Sequence, residues 1–274
     1  MSDWPSLQSE YPLASEAVEA FGRDGHVCLP GVASAAEVAA YRPSIHEAAK
    51  SLANRADIPL EKRGTYGKAF LQYANLWARN EVVKRFSLAE RFGHIAAELM
   101  GVDGVRIYHD QGLFKEAGGG FTPWHQDQYY WPLDTDNTVT MWMPLLDISV
   151  EMGMLTFASG SHTQGYLGTL PISDESERVF QDYVKAKGFT INRADAMAAG
   201  DATFHRGWTL HCAPGNQSDR MRDVMTIIYF ADGCRTTEPI NDNQRHDLAT
   251  WLPGVSPREL AASPISPVVW KRGS

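Results

Sequence analysis

The sequence predicts a mainly β fold, an antiparallel sandwich or barrel with helices packed outside it. From Val105 onward, short β-rich runs follow one another across glycine-rich or polar turns. Most of these runs have no helical pattern between them, which argues against a parallel βαβ sheet and for an antiparallel one. The residues before Val105 carry helix signals instead, so the helices flank the β region rather than alternate with it.

Ser34-Ala-Ala-Glu37 reads as a capping box, a hydroxyl and a carboxylate three residues apart that satisfy the free amides of a helix start. It opens a helix that Pro43 is expected to interrupt. Ser87-Leu-Ala-Glu90 reads as a second box, and Leu88, Phe92, Ile95, Ala96 and Leu99 then recur at helical spacing until Gly101 stops them. The predicted strands are Val105 to Lys115, Thr138 to Ile148, Met154 to Ala158, Ala202 to His205 and Val224 to Ala231. Ser173 to Gly188 is a charged, helix-like excursion between strands and a candidate lid. The proline-punctuated stretch from Ser263 to Trp270 reads as an extended tail laid over the body. The expectation is one domain over residues 1–274, with a helical part at about 14–101, a β core at about 105–232, an insertion at about 163–199 and the tail.

Composition narrows the partners. The chain has 274 residues and a formal net charge of −8, with 43% hydrophobic and 21% charged residues, the balance of an ordinary globular protein. An acidic surface gives no general attraction to phosphate backbones or anionic lipid, so neither nucleic acid nor a membrane is an expected partner. A small-molecule substrate is, with no protein partner required. Cys28, Cys212 and Cys234 form no CxxC pair, which suggests neither a disulfide framework nor a cysteine-based zinc site. The opening MSDWPSLQSEYPL lacks the basic start and apolar run of a signal peptide. The longest stretch without Asp, Glu, Lys or Arg, Met152 to Ser173, contains four glycines and is no membrane span. A cytoplasmic location is expected.

The candidate chemistry starts at Trp124-His125-Gln126-Asp127. In an extended strand residues i and i+2 share a face, so the His125 imidazole and the Asp127 carboxylate can converge on one metal ion. Such a tripeptide alone also arises by chance. His211, in Gly207-Trp-Thr-Leu-His-Cys, supplies a second imidazole. Two imidazoles and one carboxylate leave three positions open, as in non-heme Fe(II) oxygenases; zinc with the same ligands, as in metallohydrolases, is the competing metal. No His-Glu-x-x-His helix motif is present. Arg222, at a strand start, offers a fork for a carboxylate, with Arg220 as the nearby alternative and a plain surface role open for both.

Several stretches together resemble the phytanoyl-CoA dioxygenase family of Fe(II)/2-oxoglutarate oxygenases. They are Phe121-Thr-Pro-Trp-His-Gln-Asp-Gln-Tyr-Tyr-Trp-Pro, Met141-Trp-Met-Pro-Leu, Gly153-Met-Leu-Thr-Phe-Ala-Ser-Gly-Ser-His, and Gly200-Asp-Ala-Thr-Phe-His with His211 and Arg222. The resemblance runs from about Phe21 through Trp270. It implies a double-stranded β-helix, the jelly-roll core of cupin-like proteins. It implies Fe(II) held by His125, Asp127 and His211, with 2-oxoglutarate and O2 as cosubstrates and Arg222 on the distal carboxylate of 2-oxoglutarate. By the same likeness Gln72 and Trp142 match cosubstrate-contact positions; Gln111, on one strand face with His109 and Leu113, is a further candidate. Two positions depart from the family. Ala213 stands where some relatives carry a hydroxyl that helps to hold 2-oxoglutarate, and Ser159 replaces the usual proline before Gly160-Ser-His162. His162 is expected to belong to a structural turn, and His205 to the core or the surroundings of the ligands.

The expected reaction is oxidation of an unactivated C–H bond with release of succinate and CO2. The alternatives are an acyl-CoA hydroxylase of the same family, a cupin-type metal hydrolase or isomerase, and a metal-free ligand-binding barrel. Phe70, Tyr73, Tyr129, Tyr130 and Trp131, with Trp208 near His211, suggest aromatic walls for an apolar or aromatic metabolite of secondary metabolism. Lys62, Arg63 and Lys68 are the nearest approach to the basic patch that an acyl-CoA would need.

Overall fold

Helices α1 (Ser15–Asp24), α2 (Ala35–Lys50), α3 (Thr65–Ala69), α4 (Glu81–Ser87) and α5 (Glu90–Met100) fill most of the chain before residue 101. The Ser34 capping box forms: the Ser34 hydroxyl accepts from the Glu37 amide and the Glu37 carboxylate accepts from the Ser34 amide. Pro43 does not interrupt α2, which runs through it; the surrounding turns and the buried Val38, Tyr41 and Ile45 hold the helix together where one backbone donor is missing. The second box does not form either. Ser87 closes α4, and its hydroxyl donates to Asp110 at 2.6 Å, while α5 starts after Ala89. Phe92, Ile95, Ala96 and Leu99 are all buried, and Gly101 ends α5 in the left-handed conformation, φ 69°.

In the computed structural model, which describes residues 4–52 and 58–273, two facing sheets form a double-stranded β-helix. The larger sheet follows the order β1 (His26–Leu29), β10 (Ala202–Arg206), β5 (Thr138–Pro144), β12 (Arg222–Ala231), β3 (Gly104–Lys115) and β13 (Val268–Lys271), with β2 (Leu71–Ala74) also on β3. The smaller has β4 (Thr122–His125), β11 (His211–Ala213), β7 (Thr156–Ala158) and β8 (Ile191–Arg193). A two-stranded ribbon joins β6 (Ile148–Ser149) to β9 (Ala196–Met197), and every registered pair is antiparallel. The predicted strands are all present, but the boundaries of the predicted parts shift. β1 and β2 belong to the sheet although they lie in the helical part, β8 and β9 lie inside the supposed insertion, and the tail ends as the edge strand β13.

Strand alternation divides the large sheet into two faces. Met225, Ile227 and Tyr229 of β12, with Val139, Met141 and Met143 of β5, pack outward against the helices in the main core. Arg222, Thr226 and Ile228, with Thr140 and Trp142, face the barrel interior. On the helix side Asp223 accepts from His46 at 2.8 Å and from Arg42 Nε at 2.9 Å, which ties α2 to β12 beside Arg222. Helix α6 (Asp174–Lys187), capped by Ser173, packs on the smaller sheet. Its Phe180 and Val184 pack on Trp124 of β4, and Glu177 accepts the Trp124 amide at 2.9 Å. Helix α7 (Asp242–Trp251), which the sequence reading did not predict, covers one end of the barrel.

Candidate active site

The barrel encloses a cavity of about 580 Å³. His125 ends β4 and His211 begins β11; they are direct partners across the sheet, with ring centroids 4.1 Å apart. Gln126 continues the extended backbone, φ −119° and ψ 127°, so Asp127 returns to the His125 side although it already starts a 3-10 turn. His125 Nε2 lies 3.5 Å and His211 Nε2 3.7 Å from Asp127 Oδ1. Among the described residues these three form the single cluster able to hold a metal, each offering one donor atom, all within 4.8 Å of one another.

Their surroundings fix the donor atoms. His125 Nδ1–H donates to the Pro123 carbonyl at 2.7 Å and His211 Nδ1–H to that of Thr209 at 2.9 Å, which leaves both Nε2 lone pairs free to ligate. Burial, and then the neighbouring His125 and His205, hold the His211 pKa well below the ordinary histidine value, so His211 is neutral. Burial alone raises the Asp127 carboxyl, but the facing His211, His125 and His205 outweigh it and hold the group well below the usual carboxylate range. The other Asp127 oxygen accepts from Thr140 at 2.8 Å and lies 3.2 Å from His205 Nε2. Donor chemistry and geometry both fit an iron ion with three free positions.

Arg222 lies down the barrel, 1% exposed, over the Trp142 ring at 5.2 Å. One guanidinium nitrogen donates to the Gly153 carbonyl, whereas Nε has no partner among the described residues. Desolvation lowers its pKa to about 9. Arg220 is exposed and outside the cavity. A buried cation without a carboxylate is costly unless an anion arrives from outside the chain. Next to it in register is Lys115, fully buried, whose ammonium donates to the Gly120 carbonyl at 2.5 Å.

Of the other sequence candidates, Gln72, Gln111, Trp142, Phe70 and Trp131 line this cavity, and so does Tyr130. Tyr73 and Tyr129 do not. Alternation along β2 sends Gln72 inward and its neighbour Tyr73 into the helix-side core against Phe114. The 3-10 turn directs Tyr129 to α7, where its hydroxyl accepts from Asn243 at 3.1 Å. The Trp208 indole donates to Asp136 at 2.7 Å, outside the cavity. Ala213 lines the wall, Ser159 bonds His26 at 2.8 Å, and His162 sits in a 3-10 turn. The reading missed Tyr66, Thr140, Pro171, Ile172 and the α7 residues Asn243, His246, Asp247 and Trp251. The Ile172 amide donates to the Tyr130 hydroxyl at 2.9 Å, so the chain just before α6 closes one side of the mouth.

A two-histidine, one-carboxylate centre with a buried arginine farther along the same double-stranded β-helix defines an iron- and 2-oxoglutarate-dependent oxygenase. The chain belongs to the phytanoyl-CoA dioxygenase family, whose pattern it matches over residues 21–224. It is 28% identical over 238 residues to the ectoine dioxygenase of Stutzerimonas stutzeri (strain A1501), covering 80% of this chain and 77% of that one. Among solved structures it resembles the epimerase SnoN in complex with Fe3+, alpha ketoglutarate and nogalamycin RO, with TM-score 0.76, 23% identity and coverage of 93% and 97%. It also resembles the carbocyclase SnoK from nogalamycin biosynthesis, with TM-score 0.75, 24% identity and coverage of 94% and 96%. EctD from S. alaskensis with 2-oxoglutarate and 5-hydroxyectoine gives TM-score 0.71 at 20% identity, with coverage of 98% and 92%. No helix among the described residues is long and apolar enough to cross a membrane.

Proposed function

We propose that the protein oxidises an unactivated C–H bond of a small, largely apolar or aromatic metabolite, with His125, Asp127 and His211 as the iron ligands and Arg222 as the anchor of 2-oxoglutarate. The observation that carries this reading is one cavity holding both the three-donor cluster and a buried guanidinium that has no carboxylate partner among the described residues. Iron held by these three residues would supply the coupling of 2-oxoglutarate decarboxylation by O2 to oxidation of the substrate. The chain's own residues hold and orient. Pro123 and Thr209 carbonyls fix the imidazoles, Thr140 and His205 fix the Asp127 carboxylate, and Trp142 stacks on the guanidinium that receives the distal carboxylate. Gln72, through the Tyr66 hydroxyl that donates to it at 2.6 Å, and Gln111 are further cosubstrate contacts in this reading.

Phe70, Tyr130, Trp131 and Ile172 supply apolar wall, which favours a compact hydrophobic body. A structural relative that holds nogalamycin RO supports substrates of that character on this fold. An acyl-CoA is less well served. Of Lys62, Arg63 and Lys68, Arg63 is turned inward and paired with Glu116, leaving the two lysines for phosphates. A role in secondary metabolism and a cytoplasmic location without a required protein partner belong to the same proposal.

The test is succinate release from 2-oxoglutarate with a panel of candidate metabolites. Iron-dependent succinate that rises with one class of small metabolite is expected. Activity with zinc and no 2-oxoglutarate would replace this reading with a hydrolase or isomerase, and saturable turnover of a long-chain acyl-CoA would replace the substrate class.

A further inference from the structure

The end of the cavity remote from Arg222 is built around a carboxylate. Arg222 and Ile228 are six residues apart on β12, roughly 20 Å along the strand, and α7 packs over the Ile228 end. From α7, Asp247 lines the cavity at 9% exposure. A β-bulge in β3, where His109 pairs with Ile228 and Ile107 with Tyr229, leaves Tyr108 as an extra residue. The bulge brings the Tyr108 hydroxyl to Asp247 Oδ2, to which it donates at 3.3 Å, and the Trp251 indole is a second donor. Around this carboxyl stand aromatic rings: Trp251 lies 4.6 Å from His109 and Tyr108 5.8 Å from Trp131.

No Lys, Arg or His among the described residues pairs with Asp247, and His109, pushed down to about 4 by burial, is neutral. Burial drives the Asp247 carboxyl up to about 7 against the two donors that pull it down. A carboxylate in an aromatic enclosure, lacking a cation of its own, has the composition of an ammonium site: one ion pair and several ring faces.

Resting on the oxygenase reading above, we infer that Asp247 selects the substrate, and that the substrate carries a basic nitrogen which binds protonated between Asp247 and the rings of Trp251 and Trp131. The apolar remainder then extends toward the iron ligands. The metabolite is thus an amine with a hydrophobic body rather than a neutral hydrocarbon or an acid.

The experiment uses the full chain loaded with Fe(II) and 2-oxoglutarate without O2, titrated calorimetrically with 2-naphthylmethylamine, 2-naphthylmethanol and 2-naphthoic acid. The amine should bind about tenfold or more tightly than the alcohol or the acid. Asp247→Asn, nearly the same size, should lower amine affinity about tenfold or more and change alcohol affinity less than about threefold. A preference for the alcohol or the acid, or an amine affinity that survives Asp247→Asn, would overturn the inference. Melting temperatures check the fold of the variant, with Asp247→Ser as the second substitution, and the wild-type ranking decides even if neither folds. Failure of the oxygenase reading would appear separately, as no iron-dependent succinate from 2-oxoglutarate in the wild type.

Discussion

Among the described residues, a buried arginine at one end of the cavity meets no carboxylate, and a buried carboxylate at the other meets no cation. The two ends are built differently. Arg222 sits on a ten-residue strand in the middle of the large sheet, held by β3 and β5 on either side. Asp247 sits on a helix outside the sheets, and reaches the cavity because that helix lies across an open end of the barrel. The sheets and the turn that follows β4 therefore place the three donors and Arg222, whereas an added element places Asp247. In such an arrangement the common chemistry can stay fixed while the capping helix changes the substrate.

The largest expected effect tests the fixed end. Asp127→Ala removes the one anionic ligand and should lower iron retention and succinate formation by about 100-fold or more, beyond the 10- to 100-fold typical of losing a supporting partner. Iron content after gel filtration, with turnover alongside, reads it. Wild-type iron content in that variant would remove the centre from these three residues.

Next comes the arginine proposed to anchor 2-oxoglutarate. Arg222→Ala should raise the 2-oxoglutarate concentration needed for half-maximal turnover about 30- to 1000-fold, the consequence of losing about 2–4 kcal/mol of charge-assisted pairing in a dry pocket. Arg220→Ala, on an exposed side chain, should change it less than about threefold. Titration of 2-oxoglutarate against both variants ranks them, and the reverse order would place the wrong arginine in the barrel.

A smaller effect separates holding from ligating. The Thr140 hydroxyl donates to Asp127 at 2.8 Å. Thr140→Val keeps the shape and removes one bond worth about 1.5 kcal/mol, so iron affinity should fall roughly tenfold while the 2-oxoglutarate requirement stays nearly constant. A parallel loss of 2-oxoglutarate affinity would mean that the two sites are not independent.

The contrast between the ends also accounts for what the sequence reveals. β3, β5 and β12 are long, β-rich runs with a legible pattern, and His125, Asp127 and His211 have residue types that suit a metal; Arg222 reads from the residues alone as a surface arginine and stands out only through the family resemblance. β1 and β2 have four residues each, too few for periodicity to speak against the helices around them. Tyr73 shows the same limit at one residue: without a strand boundary, alternation cannot say which of two neighbours faces in. Helix α7 was invisible for another reason. Its buried positions are Gln244, Asp247 and Leu248, so the face turned to the barrel is largely polar and the apolar stripe that marks a helix is absent. Gln244 bonds the Ile240 and Tyr129 backbone and Asp247 faces the cavity, so two of the three buried positions do polar work that a search for apolar periodicity passes over.

The smallest effect concerns Lys115, beside Arg222, and bears on stability rather than turnover. The side chain is fully buried, has no carboxylate partner among the described residues, and does not line the cavity. Burial, and then the Arg222 charge, push its pKa down to about 6 from the ordinary 10.5. Between those values the unfolded chain binds a proton that the folded protein does not, so folded stability rises with pH across that window. The gain is lost as pH falls toward about 6, with a slope of at most about 1.4 kcal/mol per pH unit. Lys115→Met keeps an unbranched chain of similar length and removes the titrating group, so urea midpoints from pH 6.5 to 9 should climb less steeply in the variant. If both proteins showed the same slope, Lys115 would be charged in the folded state. The Arg222 end would then hold two permanent cations, and its demand for a dianion would be stronger than a single arginine implies.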